Sequence, residues 1–233
     1  MTEIWDTENA ENPRALRDHR AARLADILRS MFPTLHNILV VGCGDGMEAA
    51  VLANTLQASV TGIDVETQFS PLAMRYAKLQ YGNALDLQFV DESFDFVYSY
   101  HALEHIPDPL KALAEMRRVL RVGGGYLIGT PNRHRLIGYI GSDVDFATKL
   151  RWNVKDWRAR ILFRFRNEYG AHAGFSRREL SSYLTQAFGN ARDINHTYYA
   201  AVYSGHTRAL DFLFRTGLQG FLLPSVYFTG IKA

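Results

Sequence analysis

Short apolar runs alternate with segments of helical periodicity along the first part of the chain. Five runs are short, apolar and bounded by turn residues, which predicts strands at 37–41, 59–64, 79–81, 94–100 and 126–130. Between them, helices are predicted at 47–56, 71–78 and 110–120. Strands that alternate with helices at this spacing indicate βαβ units and a mostly parallel sheet.

The ends of the chain add further predicted elements. Asn12-Pro13 is typical of a helix start, and this helix is predicted to run to about Ser30. A capping box at Ser176-Arg-Arg-Glu179 predicts a helix to about Phe188. A strand over 192–203, a helix over 207–218 and a last strand over 225–232 complete the pattern, and the last strand could extend the same sheet in the antiparallel direction. We therefore expect one α/β domain over 1–233 with a doubly wound, seven-stranded sheet and helices on both faces.

Residues that could bind a ligand or take part in catalysis follow the predicted strands. A glycine loop (42–46), Asp64, Asn83, the sequence HALEH (101–105) and Thr130-Pro-Asn132 each come just after one. Ligands of such sheets bind beyond the carboxyl ends of the strands. We therefore expect these residues to converge on one edge and to form the binding site.

The glycine loop reads Gly42-Cys-Gly-Asp-Gly46 between a predicted strand and a helix. Glycines allow a tight turn and a close approach to a ligand, and a helix start offers free N–H groups. Asp64, at the end of the second strand, can accept hydrogen bonds from both hydroxyls of a ribose. A dinucleotide site has the spacing G-x-G-x-x-G, whereas Met47 stands where its third glycine belongs.

The ordered motif set resembles the class I S-adenosylmethionine-dependent methyltransferases, in their ubiquinone/menaquinone-biosynthesis-like (type 11) branch. The resemblance rests on ILVVGCGDG, GID, YGNALDLQF, DESFDFVYSYHALEHIPDP and LRVGGGYLIGTPN, roughly residues 36–132. It implies a Rossmann-like fold, S-adenosylmethionine as the methyl donor and methylation of oxygen or nitrogen on a small-molecule or lipid/quinone-like acceptor. It also implies a helical insertion after the fifth strand, residues 133–175, as a cap over the acceptor.

The same resemblance implies roles for individual residues. The glycine loop (Gly42, Cys43, Gly44, Gly46) would pass under the methionyl and ribose part of the cofactor. Asp64 would hold the ribose, and the adenine would meet Val65, Asn83, Ala84 and Leu85. Ser99 and Tyr100 would approach the methionyl end. Two positions differ from the family pattern: Val40 replaces a common acid, and Asn83 replaces another, although its amide oxygen can still accept a hydrogen bond.

The two histidines of HALEH are the candidate catalytic residues. The spacing H-x-x-E-H also occurs in zinc peptidases, but Pro107 and Pro109 leave room for at most one turn of helix, so no metal is expected. Histidine titrates near neutral pH, so His101 or His105 could take a proton from the acceptor. The alternative for each is a structural role in the loop. Near the expected cap, Glu168, Tyr169 and His172 are weaker candidates.

The segment 149–166 is basic and amphipathic. It contains seven basic residues and one acid, for a charge of +6, which leaves −4 for the rest of the chain. On a helix, Leu150, Val154, Trp157, Ile161 and Phe165 would form one apolar stripe. The stripe could dock on the domain, form a lid over the acceptor, or contact anionic lipid as a peripheral membrane surface. Nucleic acid is not expected as a partner, because the basic run is short.

Composition narrows the class of protein. Cys43 is the only cysteine, which excludes an internal disulfide and fits a reducing compartment. No signal peptide and no apolar run of bilayer length is present in the sequence, so we expect a cytoplasmic protein. Two alternatives to the methyltransferase stay open. One is an NAD(P)-dependent oxidoreductase, and the other is a non-catalytic binding protein on the same fold.

Overall fold

The protein forms a single mixed sheet. The computed structural model describes residues 21–139, 144–167 and 172–233. Among these residues, seven strands pair in the order β3-β2-β1-β4-β5-β7-β6. The first five are mutually parallel, while β7 runs antiparallel to both β5 and β6. Their bounds are β1 Asn37–Val41, β2 Ser59–Asp64, β3 Lys78–Tyr81, β4 Phe94–Tyr100, β5 Leu120–Pro131, β6 Arg192–Asp193 and β7 Ser225–Ile231.

Helices cover both faces of this sheet. Their bounds are α1 Ala21–Met31, α2 Met47–Leu56, α3 Pro109–Val119, α4 Phe146–Ile161, α5 Arg177–Phe188, α6 Asn195–Val202, α7 Thr207–Thr216 and α8 Gln219–Leu222. Residues of α1, α2, α6 and α7 form one apolar core with Val40 of β1. Residues of α3 and α5 form a second core with Leu39 on the opposite face. Because neighbouring side chains of a strand point to opposite faces, the apolar run 38–41 of β1 fills both cores. The predicted Rossmann-like, doubly wound architecture is confirmed.

Local sequence signals explain several helix ends. The capping box predicted at Ser176 is present: Ser176 Oγ accepts from the Glu179 N–H (3.2 Å), and Glu179 Oε2 accepts from the Ser176 N–H (3.3 Å). The helix α5 ends at Phe188, as predicted, before Gly189 in the left-handed region. The helix predicted from Asn12 begins outside the described residues, and its described part is α1.

Two predicted elements are wrong. The segment 71–78 forms only a 3₁₀ turn at Ala73–Arg75, because Lys78 already pairs with Thr61 as the first residue of β3. The segment 192–203 is a strand only over Arg192–Asp193, and then becomes α6. Aromatic residues favour strands, but Tyr198 packs its ring on Tyr227 of the sheet (4.0 Å between centroids). Tertiary packing therefore overrides the local preference.

The helix after β5, α4, turns its polar side toward the protein and its apolar side toward solvent. An amphipathic helix that packs on a domain does the reverse. Its buried residues are Asn153 and Asp156, whereas Leu150, Val154, Trp157 and Ile161 are 41–75% exposed. Polar contacts explain this orientation. The Gly138 N–H donates to the side-chain oxygen of Asn153 (2.7 Å), and the side-chain N–H of Asn153 donates to the Gly138 C=O (3.3 Å). The prediction that the stripe docks on the domain is therefore wrong, except for Phe165, which is buried.

No helix within 21–139, 144–167 and 172–233 combines the length and the apolar character needed to span a membrane.

Candidate functional site

The glycine loop lies at the carboxyl edge of the sheet, between β1 and α2. The N–H groups of Gly42 and Cys43 both donate to the Ile63 carbonyl (2.9 and 3.0 Å), which ties the loop to the end of β2. Gly42 has φ +72°, and a Cβ there would lie 2.1 Å from the Ala102 Cβ. Gly44 has φ +54°, but a Cβ there would meet no atom within 4 Å. The loop therefore packs against HALEH at Gly42 and leaves open space for a ligand above Gly44.

Asp64 faces this loop from the end of β2. Its carboxylate accepts hydrogen bonds from the Gly44 N–H (2.8 Å) and the Glu66 N–H (3.0 Å). The next residue, Val65, is 63% exposed, which is unusual for a large apolar side chain beside a strand end. A fixed carboxylate and an exposed apolar surface thus lie next to each other. Such a pair suits a ribose and the base attached to it.

The turn after β3 carries the other residues expected to meet a base. Asn83 Oδ1 accepts from the Leu85 N–H (2.9 Å), and Asn83 pairs with Asp86 in an isolated bridge. This oxygen therefore orders the turn that contains Ala84 and Leu85. An amide oxygen has two lone pairs, so the contact leaves acceptor capacity for a ligand.

The end of β4 meets β5 and β7 at His101. The Ser99 side chain is buried, and its Oγ has no hydrogen-bond partner among the described residues. His101 has φ +51°, its N–H donates to the Gly129 carbonyl (2.8 Å), and its Nε2 lies 2.9 Å from Ser225 Oγ. Its ring stacks on Tyr100 (4.0 Å between centroids). A left-handed backbone at a non-glycine residue costs about 1–3 kcal/mol and is typical of functional sites.

The rest of HALEH forms a second cluster. Leu103–His105 is a single 3₁₀ turn, which confirms that at most one helical turn fits before Pro107. Glu104 is 4% exposed, and neither of its carboxylate oxygens has a hydrogen-bond partner among the described residues. Burial raises the pKa of the Glu104 carboxyl to about 7. The rings of His105 and His172 meet edge to face (4.7 Å between centroids), and burial is the main cause that lowers the pKa of His172.

Comparison with known proteins identifies the family. The profile described as "Methyltransferase domain" matches residues 39–128. A ubiquinone biosynthesis O-methyltransferase of Aromatoleum aromaticum is 30% identical over 216 residues, with 84% of this chain and 89% of that protein covered. The chain belongs to the class I S-adenosylmethionine-dependent methyltransferases. The predicted family is therefore confirmed.

Other methyltransferases resemble shorter parts of the chain. The 27-O-demethylrifamycin SV methyltransferase of Amycolatopsis mediterranei is 33% identical over 136 residues, which cover 54% of this chain and 48% of that protein. For the first curated relatives, the matched part spans about half of their length or less, 38–48%. The phosphoethanolamine N-methyltransferase 2 of Haemonchus contortus, solved with S-adenosyl-L-methionine, shares the fold (TM-score 0.57, 18% identity, 90% of this chain and 52% of that chain).

The residues of this chain fit the family's cofactor. The space above Gly44 leaves room for a ligand, and Asp64 presents its carboxylate beside it. The unpartnered Ser99 Oγ is a buried polar atom at the end where the methionyl group is expected. Val40 is buried in the first core and offers the site no polar group.

Sequence reasoning missed three residues that lie beside the candidate site. Glu48, on the first turn of α2, carries a carboxylate that accepts from the Tyr98 hydroxyl (3.1 Å). Ser225 begins β7 and contacts His101, and Glu104 lies buried beside His105. Glu48 and Glu104 carried a detectable signal, a charged residue next to a binding motif. Ser225 did not, because only the antiparallel return of β7 places it there.

Proposed function

We propose that this chain transfers a methyl group from S-adenosylmethionine to an oxygen or nitrogen of a small-molecule or lipid/quinone-like acceptor. One observation carries the proposal: the open space above Gly44, the Asp64 carboxylate and the strand end at Ser99 lie on one edge of the sheet. When bound, this cofactor supplies a methyl group activated for in-line displacement. An enzyme that aligns the donor and the acceptor can contribute about 7–11 kcal/mol by position alone.

The chain's own residues bind and orient the two substrates in this proposal. Asp64 accepts from the ribose hydroxyls, and the exposed Val65 packs on the adenine. The turn at Asn83 meets the adenine edge. The complete proposed cofactor set is Gly42, Cys43, Gly44, Gly46, Asp64, Val65, Asn83, Ala84, Leu85, Ser99 and Tyr100.

The proton of an acceptor hydroxyl needs a base, and the candidates are His101 and His105. The geometry supports His101 more strongly, because Ser225 and the Tyr100 ring orient its imidazole next to the strand end. His105 lies in the same loop, but its ring faces His172. A base of this kind contributes about 10²- to 10⁴-fold to the rate.

Residues 133–175 are proposed as the cap of the acceptor site. The segment leaves β5 directly after Pro131, and it returns to the same place, where Phe175 pairs with Asn132 in a parallel bridge. The relative from Aromatoleum aromaticum is an O-methyltransferase, which supports oxygen as the methylated atom. The relatives are named as methyltransferases and do not favour the oxidoreductase alternative.

A specific observation favours a second role, peripheral contact with a membrane through 149–166. The apolar stripe of α4 is exposed and continues into Leu162 and Phe163, which are 60% and 84% exposed. Basic residues flank it, as on helices that lie in the surface of anionic bilayers. Such a contact would bring a lipid-like acceptor to the cap. Because the single cysteine, Cys43, fits a reducing compartment, this contact would be with the cytoplasmic side of a membrane.

Isothermal titration calorimetry with S-adenosylmethionine tests the cofactor site. We expect Asp64→Ala to weaken binding by about 100-fold or more, because two hydrogen bonds to a charged acceptor are lost. Glu66→Ala, which removes an exposed carboxylate two residues away, is the matched control and should bind as the wild type does. The proposal fails if the wild type does not bind the cofactor. Binding without turnover on any phenol, alcohol or amine would support the non-catalytic alternative.

A further inference from the structure

Glu104, His105 and His172 form a cluster around a buried acid that the proposed methyl transfer does not use. Their ligand atoms, one carboxylate oxygen and two imidazole nitrogens, all lie within 4.8 Å of one another. The cluster joins two separate parts of the chain, the turn after β4 and the segment that leads back to the sheet at Phe175. It has the donor types of a metal site, and one of its members is almost completely buried.

The buried member is the observation that points to a ligand. A carboxylate removed from water costs several kcal/mol unless hydrogen bonds or a cation compensate it. Neither Glu104 oxygen has a hydrogen-bond partner among the described residues, and the closest ion-pair contact is His105 Nε2 at 3.9 Å. Arg135 acts on Glu104 only at longer range. Its guanidinium is held by Asp156 (3.3 Å) and by the His172 carbonyl (2.8 Å).

We propose that Glu104, His105 and His172 bind a divalent transition-metal ion of the zinc class. Two imidazoles and one carboxylate favour such ions over magnesium or calcium, which prefer oxygen ligands alone. Three protein ligands leave a fourth position for water or another oxygen ligand, as in zinc sites with two histidines and a glutamate. The ion would compensate the buried charge of Glu104.

The geometry requires only small side-chain movements to reach coordination. Ligand atoms around zinc lie about 2.0–2.1 Å from the ion, so they are closer together than in the metal-free arrangement. His105 and His172 each keep part of the side chain in solvent, and their imidazoles are therefore able to rotate toward Glu104. The ion would tie the end of the proposed cap to the loop after β4. His105 would then act as a ligand and not as a base, which leaves His101 for proton transfer.

Zinc binding by tag-free protein, stripped with a chelator, incubated with zinc and then dialysed, tests the site. We expect one zinc per chain by mass spectrometry of the metal and a rise in the melting temperature when zinc is added. His172→Ala and Glu104→Gln should each weaken zinc binding by more than about 100-fold and abolish the thermal shift. His36→Ala is the control, because His36 is exposed at the amino end of β1, opposite the cluster.

The two variants separate loss of metal from loss of folding. In metal-free protein, Glu104→Gln replaces an unpartnered buried acid, so the fold should be as stable as in the wild type or more so. His172→Ala changes a residue that lies outside the apolar cores and is partly open to solvent. The proposal is overturned if the wild type retains no zinc, or if His172→Ala binds zinc as tightly as the wild type. Both measurements are made without S-adenosylmethionine, so failure of methyl transfer would not affect them.

Discussion

At the scale of single residues, variants of His101 and of its neighbour Ser225 test whether His101 acts in proton transfer or only in binding. His101→Ala should lower kcat by about 10²- to 10⁴-fold with little change in the KM for the cofactor. Ser225→Ala removes the Oγ that lies 2.9 Å from His101 Nε2, so we expect a smaller loss of kcat and a displaced pH–rate profile. Ser225→Thr keeps a hydroxyl and should restore the profile. A kcat of His101→Ala equal to that of the wild type would contradict the assignment.

Residues that follow strands could be predicted from the sequence, whereas residues joined by the cap could not. Asp64 and His101 follow from one rule, since the carboxyl ends of parallel strands meet at one edge. His172 was only a weak candidate, because its contact with His105 depends on the path of the segment after β5. No periodicity in the sequence encodes that path. The H-x-x-E-H spacing also occurs in zinc peptidases, but only its Glu104 and His105 belong to the proposed metal cluster, whose third member, His172, lies far along the chain.

At the scale of elements, buried polar contacts hold α4 with its apolar stripe outward. The Asp156 carboxylate accepts from Arg135 (3.3 Å), which is 4% exposed. Asp156→Ala should lower the free energy of unfolding by about 3 kcal/mol, because it leaves a buried guanidinium without its partner. Urea denaturation measures this change. Arg158→Ala, an exposed change on the same helix, should stay within about 0.5 kcal/mol. Equal midpoints for the two variants would show that the ion pair does not hold the helix.

Whether an element could be predicted depended on what its apolar residues contact. The strands β1, β2 and β4 were predicted with correct bounds, because their apolar runs face both cores. The sequence of α6 favoured a strand, because tyrosines prefer strands. Packing of Tyr198 on Tyr227 overrides this preference. In α4, periodicity identified the stripe but not its direction. That direction depends on Asn153 and Asp156, two polar residues that a hydrophobic pattern treats as solvent-facing.

At the scale of the whole molecule, charge and exposed apolar area coincide on one side. The segment 149–166 carries +6 while the rest of the chain carries −4. Its neighbours add further exposed apolar residues: the Trp157 indole N–H donates to the Leu136 carbonyl (2.7 Å), and the Leu136 N–H donates to the Phe221 carbonyl (2.7 Å). Leu136 and Phe221 are both exposed. Residues 149–166, Leu136 and Phe221 therefore form one basic and apolar surface.

Vesicle sedimentation measures whether this surface binds a membrane. We expect binding to vesicles that contain phosphatidylglycerol and little binding to phosphatidylcholine alone, with a decrease at high salt because the charges are screened. Arg158→Ala and Arg164→Ala should each weaken binding about fivefold, which corresponds to about 1 kcal/mol per charge. Phe163→Ser removes an exposed apolar side chain and should also weaken it. Val122→Ser removes one near the amino end of β5, away from the surface, and should have no effect. Equal binding to both kinds of vesicle, or an unchanged affinity in the arginine variants, would exclude an electrostatic membrane contact through α4.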